Sequence, residues 1–372
     1  MKSITQIGMD VHKNSFTVCC FDLESEQVKY TVTLEPDYKQ VLKYIENIRK
    51  HYPEETEFEC GYEAGCLGYS LYHQLTEHGV KCTILAPTTM SEHDNKRFKT
   101  DKRDAANIAK CLAYHTYSKV FVPTNEDNAI KEFIRMRDDH KSMLKKIKQQ
   151  ILAFCLRFDL RYDSGKQYWT KTHVEWLKKI KLLDAVLQET LDEYLNTFNF
   201  LSNKIDLLDK RISEYADRER YREKVKRLEC LIGIKEHTAM AVLVEIGDFK
   251  RFAKADQFAS YLGLVPGEHS SAENQNHLPI TKAGNSHIRK LLIEAAHSYP
   301  RGKVGTKSKD LKKRQDGNTP SVIAYADKAN ERLRRKAYRL ILTEKKKYNV
   351  AVTAVARELA CFIWGMLTDN IK

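Results

Sequence analysis

The sequence has no run of apolar residues approaching the length of a membrane span, and Met1-Lys2-Ser3-Ile4 leads into a strand pattern rather than a signal peptide. A cytoplasmic chain with no membrane partner is therefore expected. CxxC pairs and Cys/His clusters at zinc spacing are missing too, and the nine cysteines are an odd number. Cys19, Cys20, Cys82 and Cys230 lie in apolar strings and read as reduced core residues. Nor is this the composition of a disordered chain, because hydrophobic residues make up 42% and aromatics 10% of the 372 residues. Two or three domains are expected at that length. Charged residues reach 30% and mean hydropathy is −0.55, which points to long charged helices.

Positive charge is scarce at one end and concentrated at the other. Met1 to Asn125 holds 15 Lys and Arg against 17 Asp and Glu, a net of −2, whereas Arg301 to Val350 holds 16 against 5, a net of +11. The total is +13. Lys312-Lys313-Arg314, Arg334-Arg335-Lys336 and Lys345-Lys346-Lys347 can neutralise phosphates and release counterions, so nucleic acid is the natural partner. A solvated, self-repelling surface is the plainer explanation of such runs.

Hydrophobic spacing divides the chain in three. Thr5 to Asp22 reads as two paired strands joined near Lys13-Asn14, with Gln27 to Leu34 as a third. A helix over Pro36 to Arg49, a strand over Glu57 to Glu63, a helix over Leu67 to Glu77, a strand over Lys81 to Ala86 and a helix from Asp101 follow. Strands first and alternation afterwards predict a mixed α/β domain over residues 1–125. Beyond Pro123, Ile130, Phe133, Arg137, His140, Leu144, Ile147, Ile151 and Phe154 keep steps of three and four, the spacing of one helix face. Leu187, Leu191, Tyr194, Phe198, Leu201, Ile205, Leu208, Ile212 and Tyr215 form a second seam. These seams predict a helical hairpin or coiled coil over residues 126–227, turning near Asp163-Ser164-Gly165 and offering a dimer interface. Residues 228–372 then predict a mainly helical domain with a basic insertion, closed by an apolar helix over Val350 to Leu367.

Three constellations can carry chemistry. Asp10 ends the first strand, Glu63 ends a later one, and Asp101 and Asp104 stand three apart on a helix, so their carboxylates project from one face. Four acids so placed suit Mg²⁺, which relieves their repulsion and stabilises phosphoryl oxygens. Acids opening a helix also favour its positive end without any metal. Second, the Gly233 turn within Leu231 to Phe252 is similar to a helix-hairpin-helix that holds a DNA phosphate, and a plain helical packing unit fits it about as well. Third, Ser270 and Ser271 sit in a polar loop after Pro266, followed by Lys282 and Arg289. A serine can attack a phosphodiester when cations stabilise the developing charge, although most such pairs are loop or cap residues.

The blocks IGMDVHKNSF, GYEAGCLGYSLYHQL, KTDKRDAANIAK, LGLVPGEHSS and ITKAGNSHIRKLLIEAA resemble, in order and spacing over nearly the whole chain, the IS-110 family of insertion-sequence transposases, with Piv-type DNA invertases among its relatives. The resemblance implies an RNase H-like (RuvC-like) N-terminal domain whose Asp-Glu-Asp-Asp set is Asp10, Glu63, Asp101 and Asp104. It implies a coiled-coil middle and a C-terminal transposase domain whose serine attacks DNA to form a phosphoserine. It also implies Mg²⁺, donor and target DNA, a structured bridge RNA, and dimers that pair into a tetramer with composite sites. The family pattern places the nucleophile in HSSA at Ser271, with Ser270 in reserve; Ala272 stands where glycine is usual, and Leu278-Pro279 stand ahead of Ile280 where Gly-Arg is common. Lys282, Gly284, Asn285 and Arg289 match the rest of that block, and Arg289 is the expected phosphate contact. Two other readings stay open: a RuvC-like metal-dependent endonuclease of junction-resolvase type that uses water, and a nucleic-acid-binding scaffold without catalysis.

Overall fold

Strand β1 (Ile4–Val11) alternates, sending Ile7 and Met9 to one side of a sheet and Gly8 and Asp10 to the other. The computed structural model describes residues 4–90, 100–163, 167–271 and 274–371, without the side chains of residues 88 and 268–277. Its contacts divide it into two compact units, 1–122 and 123–372. In the first, β1 is followed by β2 (Phe16–Asp22), β3 (Gln27–Leu34), α1 (Tyr38–Arg49), β4 (Glu57–Glu63), α2 (Ser70–Glu77), β5 (Lys81–Leu85) and α3 (Asp101–Tyr114). The sheet order is β3-β2-β1-β4-β5. Its first three strands pair antiparallel, while β1, β4 and β5 run parallel, the last two joined through α2 as parallel strands require.

Both faces of the central strands are covered, which is why β2 reads as a nearly continuous apolar run. Val41, Tyr44, Ile45 and Ile48 of α1 and Leu71 and Leu75 of α2 pack on the Ile7, Met9, Val18, Cys20, Cys60 and Tyr62 side. On the other side, Ala105 and Ala109 of α3 pack against Cys19 and Phe21. Alanines on α3 let it lie close, and Gly8 lets it lie closer still. A Cβ at Gly8 would stand 2.1 Å from Ala105 O and 2.4 Å from Ala109 N, inside any allowed contact. Gly8→Ala is therefore expected to lower unfolding stability by about 3 kcal/mol, the upper end of the usual cost of overpacking, because main chain rather than a side-chain tip must yield. A denaturant midpoint equal to that of the wild type would show that α3 can retreat freely. Cys19, Cys20, Cys82 and Cys230 are buried and unbridged, as the sequence predicts.

The second unit opens with α4 (Asn125–Arg157), α5 (Lys171–Lys179) and α6 (Ala185–Ala216). Phe133 meets Tyr215 and Phe154 meets Tyr194, so α4 and α6 run antiparallel as a helical pair about 50 Å long. Leu144, Ile147, Ile151 and Phe154 close on Leu191, Leu195, Phe198, Leu201 and Ile205. Those seams thus face each other within the chain. The unit continues with α7 (Glu219–Glu229), α8 (Glu236–Ile246), α9 (Ala255–Tyr261), β6 (Pro266–Ser271), β7 (Asn274–Ile280), α10 (Ser286–Ala296), α11 (Lys309–Gln315), α12 (Pro320–Tyr338) and α13 (Tyr348–Leu367). Strands β6 and β7 form a hairpin where the sequence suggests a polar loop. Its residues are almost all polar, so no alternation of apolar and polar positions marks the strands.

The absence of a membrane-length apolar segment needs correction at α13. Among the described residues this helix is long and apolar enough to cross a membrane by length and composition. Ala351, Val352, Val355, Ala356, Leu359, Ala360, Ile363 and Met366 are buried in the same core as residues of α8, α10 and α12. Arg357 and Glu358, on its other side, pair with Asp256 and with Lys336. A helix that buries a wide face among other helices keeps only a narrow polar strip, so its composition comes close to that of a lipid-embedded span.

Candidate active site

Two glycines show which way the acids of the sheet point. Gly8 of β1 faces Ala105 and Ala109, and Gly61 of β4 faces Leu112, all on α3. Side chains two residues further along a strand return to the same face, so Asp10 and Glu63 lie on the α3 side. Met9 pairs with Tyr62, which makes Asp10 and Glu63 the next rung of the parallel ladder at the carboxyl ends of β1 and β4. Thr100 caps α3 by accepting a hydrogen bond from Arg103 N, and Asp101 and Asp104 occupy its first turn. Asp10, Asp101 and Asp104 are brought together, while exposed Glu63 is placed on the same face of the neighbouring strand.

The electrostatics of this corner ask for a cation. Burial pushes the Asp10 carboxyl above its usual range, and Asp104 and Asp101 push the same way against the pull of His12. His12 Nε2 lies 3.1 Å from Asp10 Oδ2, and Asp10, His12 and Asp101 each offer a ligand atom within 4.8 Å of the others. Ligands about 2.1 Å from one divalent ion sit between about 3 and 4 Å apart, so the His12–Asp10 pair at 3.1 Å fits such an ion as it stands, and Asp101, within 4.8 Å, reaches it by a small shift of an exposed side chain. His12 is the residue that attention to acids alone misses. Its signal was its place two residues beyond Asp10, on the face of Gly8 and Asp10.

In the second unit the two serines close β6, Ser270 opposite Gln275 and Ser271 opposite Asn274; their side chains lie outside the described atoms. Lys282 is exposed just past β7, with φ of 56°, and its N–H donates to Gly263 O. Arg289 Nη1 donates to Leu262 O and Ala283 O at 2.9 Å each, binding together the segments that lead into and out of the hairpin. The basic runs divide in a way their composition hides. Arg314 Nη1 donates to Glu229 O and Ile234 O, Arg334 Nη1 donates to Lys303 O and Thr306 O, Arg335 pairs with Glu331, and Lys336 pairs with Glu358. Lys312 and Lys313 are exposed and make no ion pair among the described residues.

The turn between α7 and α8 is braced from the basic stretch. Besides Arg314, Asn330 takes the Ile232 N–H at 2.8 Å and donates to Cys230 O at 3.0 Å. Gly233, with φ of 82°, allows Ala295 O to approach where a Cβ would stand 2.3 Å away. Glu229, its carboxyl pushed up by burial, accepts the Glu236 N–H at the start of α8. The helix end that the sequence offers to a phosphate therefore already meets a carboxyl of its own chain.

A half-buried polar cluster, absent from the sequence reading, orients the block after the serines. His287 places Nδ1 3.1 Å from Glu245 and Nε2 2.8 Å from Asp138, so both ring nitrogens face carboxylates and both must carry protons. Burial opposes this charge, but the two carboxylates outweigh it and hold the imidazole at a pKa of about 9. Burial likewise raises the Glu245 carboxyl, and hydrogen bonds from His287, Arg135 and Asn285 overcome it to bring its pKa to about 2. Asn285 also caps α10 by accepting from Ile288 N. The cluster ties α4 and α8 to the start of α10, where the Lys282–Arg289 segment lies. A histidine raised from 6.5 to about 9 contributes stability fully present below pH 6.5 and lost as pH climbs toward 9. The stability difference between wild type and His287→Gln, on the order of 3 kcal/mol at low pH, is expected to shrink across that window. Denaturant titrations of both proteins at several pH values check this, and a pH-independent difference would contradict it.

Comparison with known proteins completes the picture. The DEDD transposase profile of the IS110 group matches residues 7–158, and the profile described as "Transposase IS116/IS110/IS902 family" matches residues 225–308. The chain is similar to the "Transposase for insertion sequence element IS1533" of Leptospira borgpetersenii, 31% identical over 93% of this chain and 99% of the relative. It is also similar to the "Transposase for insertion sequence element IS1111A" of Coxiella burnetii, 24% identical over 99% of this chain and 91% of the relative. A mixed sheet that gathers acids at the end of β1, followed by a helical unit, is here the frame of a transposase, a class defined by DNA strand transfer. The chain belongs to the IS110 family of insertion-sequence transposases.

Proposed function

We propose that the protein is a DNA recombinase that moves an insertion sequence through a phosphoserine intermediate, guided by a structured bridge RNA. The observation that carries this reading is the convergence of Asp10 with Asp101 and Asp104 at the carboxyl end of β1. The order β3-β2-β1-β4-β5, antiparallel on one side of β1 and parallel on the other, supports an RNase H-like (RuvC-like) assignment for this unit. Asp10, Glu63, Asp101 and Asp104 would hold Mg²⁺, which when bound supplies Lewis-acid stabilisation of charge on the phosphoryl oxygens.

Ser271, with Ser270 in reserve, forms the Oγ–phosphorus bond as the bond from phosphorus to a deoxyribose oxygen breaks. The serine proton passes to solvent, and the departing oxygen gains one. The phosphodiester's free energy stays in the adduct, so a second DNA hydroxyl can reverse the step and join new strands. Residues 1–125 serve as the metal-binding part, 126–227 as a coiled-coil dimerisation part and 228–372 as the serine-bearing part. The acids of one protomer and the serine of another make a composite site in a dimer that pairs into a tetramer on donor and target DNA. Lys282, Lys312 and Lys313 contact phosphates directly, together with the exposed faces of Arg335 and Lys336. Arg289, Arg314 and Arg334 shape the segments that carry those contacts. The work is done in the cytoplasm, without a membrane.

The test is full-length protein with Mg²⁺, bridge RNA and end-labelled donor and target duplexes. Rejoined strands and a protein-linked DNA band are expected. Free hydrolytic ends alone, with a branched substrate cut but never resealed, would instead select a water-using nuclease of junction-resolvase type.

A further inference from the structure

The carboxylates of the first unit are accompanied by a nitrogen donor. Backbone alternation along β1 sends Gly8 and Asp10 toward α3, and the ladder with β2 continues past Val11, where His12 N donates to Ser15 O at 3.0 Å. His12 is the next residue on that face. Its Nε2 stands 3.1 Å from Asp10 Oδ2, and an Asp101 oxygen completes a triangle no wider than 4.8 Å. Two ligands at right angles around one ion, each about 2.1 Å from it, are about 3 Å apart, which matches the His12–Asp10 separation. His12 is 58% exposed and Asp10 13% exposed, so the imidazole stands at the solvent side of the group and can adjust around an incoming ion.

We infer that His12 is a ligand of the divalent ion held by Asp10 and Asp101, and that it tilts the site from Mg²⁺ toward Mn²⁺ and the borderline cations Co²⁺ and Zn²⁺. The inference rests on the metal-binding reading proposed above. Its chemistry is that of donor softness. Carboxylate oxygens alone suit Mg²⁺, whereas an imidazole nitrogen suits cations later in the first transition row such as Co²⁺ and Zn²⁺ and is accepted more readily by Mn²⁺ than by Mg²⁺, so one side chain shifts selectivity without adding charge. Within the same corner Asp104 supplies a further anion, whose charge already acts on Asp10.

The experiment is pulsed electron paramagnetic resonance of Mn²⁺ bound to the full-length protein, with natural-abundance or ¹⁵N-labelled histidine, alongside Mn²⁺ and Mg²⁺ affinities from competition titration. Wild type is expected to show a directly bound histidine nitrogen. His12→Gln is expected to lose that nitrogen and at least about tenfold in Mn²⁺ affinity, with a smaller loss for Mg²⁺. His12→Asp is expected to keep a bound ion, drop the nitrogen and move the preference toward Mg²⁺, which separates loss of a ligand from loss of the fold. Mn²⁺ bound in an Asp10-dependent manner with no histidine nitrogen overturns the inference and leaves the metal-binding reading standing. A nitrogen signal that survives in His12→Gln overturns it in favour of another histidine. Mn²⁺ binding indifferent to Asp10→Asn overturns both.

Discussion

Replacing Asp10 by alanine is expected to lower strand transfer by on the order of 10³-fold or more, with DNA retention in a gel shift close to wild type. Asp10 is the acid on which the others act. It ends the central strand, it is largely buried, and the charges of Asp101 and Asp104 bear on it. A metal held there is worth several kcal/mol of charge stabilisation, and each 1.4 kcal/mol or so is a decade in rate. Removing the Asp10 charge without changing its shape should act oppositely on stability. An acid whose carboxyl is pushed up in the folded state destabilises the fold when ionised, so Asp10→Asn is expected to melt above the wild type in chelator. Adding a divalent ion should reverse that order, because only the wild type gains binding free energy from it. Melting curves with and without the ion provide the check. An Asp10→Asn protein that melts lower in chelator would mean that Asp10 holds the fold together rather than waiting for a ligand.

The second large effect is expected at the serines. Ser271→Ala should abolish the protein–DNA adduct and reduce recombination by about 10⁴-fold or more, since loss of a nucleophile removes the reaction path itself. Binding should persist, because a hydroxyl at the end of β6 is a small part of an interface whose affinity comes from cations. Adduct trapping on a denaturing gel reads this out with Ser270→Ala beside it. An adduct that survives in Ser271→Ala and vanishes in Ser270→Ala moves the role by one residue.

How far these residues could be read without coordinates depended on the range of the interaction involved. Alternation in Ile4–Val11, the apolar run of Phe16–Asp22 and the Thr100 cap ahead of Asp101 are local, and they place the strands and the acid-bearing helix within a few residues. The serine hairpin was less legible because its polar residues carry no periodic apolar signal. Charge runs are hard to read for a different reason. Arg314 and Arg334 belong to clusters that suggest phosphate contacts, and each also gives its Nη1 to main-chain carbonyls of turns outside its own run. Nothing in a run of like charge says which members a fold will turn inward. The His287 cluster lay beyond reach for the same reason, since its Asp138 partner is 149 residues away.

By itself the sequence determined the strand and helix order of the first unit, the two helical seams, the acid-poor basic stretch and the family blocks, because periodicity and capping act between residues a few positions apart. Tertiary structure alone decided that Gly8 admits α3 close enough to set Asp101 and Asp104 beside Asp10, and that His12 joins them. It also decided that His287 carries a charge between two carboxylates. Such outcomes depend on which distant surfaces meet and how tightly, and close packing resolves that only when the whole chain has folded.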